Sequence, residues 1–385
     1  MAGKRRGNGE GTIRRRADGR WEALVTLPDG GRKSVDARTR VEVQRELVAI
    51  RRSLDIGMQV RRDERQPLAT YLADWLVRMR PTVKALTWQR YHELLRGVPP
   101  ALGRTMLAKL TPTQVERLYA ERLAAGLSPT TVHQLHAVLH HALSDAVRKG
   151  ILARNVCDLV DAPTPRRAQV QALTVEQSRA LLEAAAGDRL HALYVLALTT
   201  GLRQGELLAL HWADVDLESG VLQVRGTLHR VPGVSVSEKS GLVISDPKTS
   251  HSRRPVRLSG LAVTALHTHR SRQLIERLQM GDAWDDRDLV FTNSIGRPCE
   301  ARNIIRMSYT PLLERAGVPY VKFHALRHSA ATLLLSQGIH PKIVAEMLGH
   351  TTIAMTLDIY SHVTLDMQQE AADTMDRLFR ARGGA

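Results

Sequence analysis

Two arginines, a lysine, two histidines and a tyrosine in the second half of the chain form a set able to act on a phosphodiester, and they fall in four short stretches. The first, Thr200-Gly201-Leu202-Arg203-Gln204-Gly205-Glu206, sets Arg203 among glycines, and Glu206 three residues later can brace its guanidinium if the turn is helical. The second runs from Asp246 to Arg254 and carries Lys248, Arg253 and Arg254 between two strand-like runs, where a basic hairpin tip would sit. The third, His324-Ala325-Leu326-Arg327-His328-Ser329, opens a helix on which His324 and Arg327 project together while Leu326, Leu333 and Ile339 or positions near them face the core. The fourth joins Leu348-Gly349-His350 to Thr356-Leu357-Asp358-Ile359-Tyr360-Ser361-His362-Val363. Taken singly, each has a plain structural reading: a surface ion pair, a solvated loop, a half-buried histidine, a core tyrosine.

Together the six can bind the nonbridging oxygens of a phosphodiester, protonate a leaving oxygen and supply a nucleophile. None of these roles requires a metal or another cofactor. The sequence also lacks a Gly-x-x-x-x-Gly-Lys-Ser/Thr loop and an obvious carboxylate cluster for two metals.

Such groups need a scaffold, and 385 residues with 43% hydrophobic and 24% charged side chains allow two or three globular domains. The excess of 55 Lys/Arg over 39 Asp/Glu leaves a net +16, which points to a polyanionic partner, nucleic acid first. Only two cysteines are present, Cys157 and Cys299; they suit a reducing compartment and read as buried structural thiols. The start, MAGKRRGNGEG, has no apolar signal core, and no run of about 18 apolar residues occurs, so secretion and membrane insertion are disfavoured and a cytoplasmic, nucleoid-associated protein is expected.

Three segments follow from local signals. Residues 1–65 carry 17 Lys/Arg against 10 Asp/Glu and read as three short strands, the third near Arg32 to Val35, and a helix from about Arg40 with Val43, Leu47, Ile50 and Leu54 under the sheet. The opposite face would present Arg14, Arg16 and Arg20, and a basic ribbon of this kind can enter a DNA major groove. Residues 66–165 are helical throughout: Thr111-Pro112-Thr113-Gln114 is a capping signature, and Ser128-Pro129 starts a helix with Val132, Leu135, Leu139, Ala142 and Ala146 on one face. After a Pro-rich linker, residues 170–385 read as helices around 175–186 and 188–201, a strand-rich stretch over 221–258, then helices. The expected fold class is α+β and mostly helical, with a small N-terminal sheet, a helical middle domain and a mixed α/β domain that carries the chemistry.

The order and spacing of TGLRQGE, PKTSHSRRPV, HALRHSAATLLL, MLGH and TLDIYSHV, over about 200 residues, resemble those of the tyrosine recombinases, or phage-type integrases. The resemblance implies a catalytic hexad of Arg203, Lys248, His324, Arg327, His350 and Tyr360. The arginines would clamp the scissile phosphate, and Tyr360 would attack it to leave a 3′-phosphotyrosyl bond and a free 5′-hydroxyl. Lys248 resembles the general acid for the 5′-oxygen, His324 the residue that helps accept the tyrosyl proton, and His350 the one that hydrogen-bonds a nonbridging oxygen. Glu206 and His328 would support this set from behind. The resemblance further implies a site-specific recombinase that integrates and excises a mobile element without metal or ATP. Residues 1–65 would be an arm-site module, 66–165 a core-binding domain and 170–385 the catalytic domain.

The expected partners are double-stranded DNA attachment sites, further copies of the chain in a homotetramer, and an excisionase or DNA-bending accessory protein. Arg14, Arg16, Arg20, Thr130, Thr131, Arg253 and Arg254 are expected to face DNA. His136 and His140, four apart on a helix, lack an evident third ligand and read as solvated or DNA-facing; Trp212 reads as core. Beyond Tyr360, Met367, Ala371, Met375 and Leu378 or Phe379 recur at helical spacing, a stripe that needs a covering surface in the same chain or in a neighbour. Two rival readings share the chemistry or the binding alone: a type IB topoisomerase-like strand transferase, and a DNA-binding regulator derived from a recombinase.

Overall fold

The computed structural model describes residues 12–26, 32–55, 66–165, 171–231, 241–245, 253–350, 352–360, 372–373, 375–376 and 379, with backbone only at 53–55 and 358–360. The chain divides into two compact units, residues 1–167 and 168–385.

The first unit opens with three antiparallel strands, β1 (Thr12–Arg15), β2 (Trp21–Thr26) and β3 (Arg32–Ala37), in that order across the sheet. The third strand runs two residues further than expected, because Ala37 and Asp36 stay in register opposite Trp21 and Glu22. Helix α1 (Arg40–Asp55) buries Val43 and Leu47 against Ala23 and Val25, so alternation on β2 and helical spacing on α1 meet in one small core. A helical bundle follows: α2 (Leu68–Met79), α3 (Ala85–Leu95), the single turn α4 (Pro100–Gly103), α5 (Pro112–Ala124) and α6 (Pro129–Arg148). Both expected caps are present. The Thr111 hydroxyl accepts from the Gln114 amide and the Gln114 side chain returns to the Thr111 amide, while Ser128 accepts from Thr131. The inner face of α6 is the expected one, and Tyr71 on α2 donates its hydroxyl to the Ala142 carbonyl at 2.8 Å, locking the two helices.

The second unit is built around α8 (His191–Thr200), which is apolar on every side and therefore buried on every side. It is packed by α7 (Val175–Ala184), α10 (Gly260–Met280) and α13 (His324–Ser336). The short helix α9 (Gln204–Leu208) follows α8 directly. Next come β4 (Val215–Asp216), β5 (Val221–Val224), β6 (Thr227–Arg230), β7 (Leu242–Ser245) and β8 (Arg254–Arg257). These strands make two sheets, β4-β5-β8 and β6-β7. The described strands on either side of Lys248, β7 and β8, belong to different sheets, so the plain reading of this stretch as the tip of a hairpin between them does not hold. Helices α11 (Ala301–Ile304) and α12 (Thr310–Arg315) are joined through a π turn at Ile305–Tyr309. Two further helices, α14 (Pro341–Leu348) and α15 (Ala354–Tyr360), complete the described elements and pack on α13 and on each other. The architecture is α+β and mostly helical, as the sequence implies.

Two local expectations are corrected, and a histidine pair gains its partners. Ile339 lies past the end of α13 and is exposed, and Leu335 takes the core position instead. Trp212 is only partly buried: its indole donates to Gln273 at 2.6 Å, and Arg270 lies over the ring at 5.2 Å beside a cleft of about 310 Å³. His136 and His140 are half-buried and each has a polar partner, the Tyr119 hydroxyl at 3.0 Å for the first and Asp158 at 2.7 Å for the second. Both cysteines are buried, as read from the sequence.

Candidate active site

The site begins where α8 ends. Gly201 closes that helix at φ +63°, and a Cβ there would lie 2.3 Å from the Leu348 side chain, so only glycine admits this approach. Two residues on, Arg203 stands at the N-terminus of α9, and Glu206 at the third helical position folds back to it. One carboxylate oxygen accepts the Arg203 backbone N–H at 3.0 Å, and the other accepts the Arg203 guanidinium at 2.7 Å. Burial raises the Glu206 pKa, but Arg254, the Arg203 amide and the Arg203 guanidinium outweigh it, and the group stays below the ordinary carboxylate range. It is an anion at neutral pH, holding Arg203 in place.

Arg327 projects from the first turn of α13 and is almost fully buried. Its guanidinium donates to the carbonyls of Gly201 at 2.8 Å and Leu348 at 2.7 Å. Burial first, then Arg203, brings its pKa down to about 9, which still leaves a cation at neutral pH. Arg203 donates to the Gly349 carbonyl at 3.3 Å. Arg254, the first residue of β8, donates through Nε to the Met347 carbonyl at 2.7 Å and through Nη2 to Glu206 at 3.2 Å. Three successive carbonyls at the C-terminal end of α14, those of Met347, Leu348 and Gly349, are thus met by three different arginines. Helix C-termini leave such carbonyls without intrahelical partners and carry partial negative charge, which is why cations collect there.

His350 follows immediately. Its Nδ1 lies 2.8 Å from the hydroxyl of Thr356, a residue of α15 with no exposed surface. A hydroxyl donating to Nδ1 leaves the ring hydrogen on Nε2, ready to be given to an anion. Burial and the nearby Arg327 and Arg203 depress the His350 pKa to about 4, so the ring is neutral at physiological pH. His324, at the first position of α13, is lowered by partial burial, then by His328, Arg327 and Arg203; His328 is lowered by burial and Arg327. The two imidazoles meet edge to face at 5.1 Å. A neutral His324 is free to accept a proton.

Of the sequence-derived set, Arg203 and Glu206 pair directly, Arg203 and Arg327 reach the Gly349 and Leu348 carbonyls that precede His350, and His324 and His328 share the helix of Arg327. Tyr360 is the last residue of α15, whose backbone packs on α13 and α14; its side chain lies outside the described residues, as does Lys248 altogether. Arg253 is exposed, whereas Arg254, expected to face DNA, has only 7% of its surface open and points inward. In the first unit, Thr130 is exposed at the start of α6, and the Thr131 hydroxyl is 2.9 Å from that of Ser128. Arg14, Arg16 and Arg20 lie at the surface, but each faces a carboxylate: Glu22 at 2.7 Å, Asp18 at 3.6 Å and Asp36 at 3.2 Å.

The sequence reading missed Thr356 and the inward role of Arg254. Nothing in the sequence marks Thr356. Arg254 did leave a signal, because strand alternation puts it on the same face as the buried Val256.

The profile of the phage integrase family matches residues 171–366. A tyrosine recombinase XerC-like protein of Caldanaerobacter subterraneus subsp. tengcongensis is 36% identical over 277 residues, covering 69% of this chain and 71% of that protein. An integrase of Streptomyces ambofaciens is 32% identical over 399 aligned residues and covers 99% of both. Among solved structures, the Tn1549 transposon integrase in complex with transposon right end DNA superposes with a TM-score of 0.66 at 25% identity, covering 81% of this chain and 99% of that one. A lambda integrase tetramer bound to a Holliday junction shares the fold, with a TM-score of 0.55 at 17% identity over 92% of this chain and 96% of that one. The chain belongs to the phage integrase family of tyrosine recombinases, and is a site-specific recombinase.

Proposed function

We propose that this chain binds double-stranded DNA attachment sites and cuts and rejoins their strands through a 3′-phosphotyrosyl bond on Tyr360, integrating and excising a mobile element. The observation that carries the reading is the convergence of Arg203 and Arg327 on the carbonyls beside His350, at the foot of the helix that ends with Tyr360. In this reading the two guanidiniums hold the nonbridging oxygens, which a planar fork does better than an ammonium. The Tyr360 oxygen attacks phosphorus as the bond to the 5′-oxygen breaks. The tyrosyl proton passes toward neutral His324, Lys248 gives a proton to the departing 5′-oxygen, and His350 donates Nε2–H to the developing charge. The new ester keeps the energy of the old one, so attack by another 5′-hydroxyl rejoins DNA without ATP, and the guanidiniums supply the charge a metal would otherwise bring.

The test is a nicked duplex carrying a half-site selected from a randomised library by binding to the full-length chain. A covalent protein–DNA adduct that accumulates equally with and without EDTA is expected. Adduct formation that stops on chelation would mean a different phosphoryl-transfer chemistry.

The same reading assigns residues 1–65 to a separate arm site, 66–165 to the core site and 170–385 to catalysis, with four protomers on two synapsed sites and room for an excisionase or bending protein. Arg14, Arg16 and Arg20 can exchange surface ion pairs, each worth at most about 1 kcal/mol, for phosphates. A chain beginning at residue 66 is expected to keep its core footprint and lose the arm footprint, with a smaller salt dependence of overall binding. Identical footprints from the two chains would remove the arm-site assignment. For assembly, the exposed Met375 and Phe379 belong to the apolar stripe that a neighbour could cover.

A further inference from the structure

We infer that Arg254 is a positioning residue, which fixes Arg203 and His350 relative to one another without touching DNA. The inference rests on the proposed function and adds a part to the site.

Strand β8 alternates inward and outward, and Arg254 occupies an inward place beside Val256. A buried cation is costly unless every direction of its guanidinium is answered. Here Nε is answered by the Met347 carbonyl at 2.7 Å and Nη2 by Glu206 at 3.2 Å. Gly349, at φ +67°, lies flat against the same group: a Cβ there would be 2.7 Å from Nη1 and 2.9 Å from Cζ. The guanidinium is therefore wedged between the carboxylate that holds Arg203 and the turn that leads into His350.

Two consequences follow. Geometrically, Arg254 sets the distance between the start of α9 and the end of α14, the two places from which Arg203 and His350 arise. Electrostatically, Glu206 serves two cations at once. With Arg254 present, the trio of Arg203, Glu206 and Arg254 keeps a net positive charge beside the place a phosphate would take. Without it, Glu206 would neutralise Arg203 alone, and the clamp would lose charge just where charge is needed. Neither consequence requires an exposed Arg254, and neither is shared by Arg253, which lies at the surface.

The experiment compares wild type, Arg254→Lys, Arg254→Met, Arg203→Lys and the pairwise Arg203→Lys/Arg254→Met variant, all in the full chain. Covalent adduct formation and half-site affinity are measured on the selected nicked duplex, and melting temperature reports folding. Arg254→Met is expected to slow adduct formation about 100-fold, comparable to removing one preorganised donor, with half-site affinity reduced by no more than about threefold, since most phosphate contacts of a half-site lie elsewhere. Arg254→Lys keeps the charge but cannot reach both partners, and is expected to recover part of that loss. Because Arg254 acts through Arg203, the pairwise variant should lose much less than the product of the two single losses. Multiplicative losses, wild-type cleavage by both Arg254→Lys and Arg254→Met, or a loss of half-site affinity as large as the loss of cleavage would overturn the inference. Should Arg254→Met fail to fold, the pairwise comparison is made with Arg254→Lys, on the same criteria. A wild-type chain that forms no adduct at all would instead overturn the proposed function.

Discussion

Replacing Tyr360 by Phe is expected to abolish strand cleavage while leaving half-site binding within about twofold. Only one oxygen is removed, and the ring that ends α15 is kept. That helix is anchored independently, by its packing on α13 and α14 and by Thr356, which is fully buried against His350. The fold and the phosphate clamp should therefore survive the change. Removing the nucleophile of a covalent enzyme typically costs several powers of ten, since the remaining groups stabilise a transition state that can no longer form. Covalent adduct should fall by about 10⁴-fold or more on the nicked duplex. Equal loss of binding and cleavage would mark Tyr360 as structural.

Arg327→Ala is expected to show the second largest effect, with two separable parts. One is chemical: in the proposed mechanism a cation that holds the phosphate is lost, and adduct formation should drop by about 10³-fold, the upper end for one preorganised donor. The other is structural. The carbonyls of Gly201 and Leu348 lose their buried partner, at about 1–3 kcal/mol each, and the melting temperature of the second unit should fall by several degrees. Arg327→Lys separates the parts. Its ammonium can satisfy one carbonyl and keep the charge, so melting should partly recover, while cleavage stays far below wild type because the planar fork is gone. If Arg327→Ala cut DNA within tenfold of wild type, the clamp as described would be wrong.

Much of the fold and part of the site are legible in the sequence. Capping signatures at Thr111 and Ser128 and helical spacing on α1 and α6 are local physics, and the structure follows them. Arg203 with Glu206 was readable as a braced pair because a helical turn brings i and i+3 together. The limits were equally physical. Whether an arginine on a strand faces water or protein depends on the partner it finds, and the partners of Arg254 come from residues 48 and 93 positions away. Thr356 could not be recognised because a threonine becomes a histidine's partner only through packing of α15 on the end of α14. The division of the strands into two sheets depends likewise on long-range pairing: β7 and β8, which flank Lys248 in the sequence, pair with other strands and not with each other. The carboxylates facing Arg14 and Arg20 were present in the sequence, but only the register of the sheet brings them across.

The proposed mechanism requires that Tyr360 become covalently linked to the 3′ end of a cut strand. It is tested most directly by trapping the adduct on a nicked duplex, digesting both protein and DNA, and locating the modified peptide by mass spectrometry. The expected result is a peptide spanning Tyr360 whose tyrosine carries a 3′-nucleotide phosphate, with a free 5′-hydroxyl on the released strand. A nucleotide carried on any other residue, or a link to the 5′ end, would contradict it.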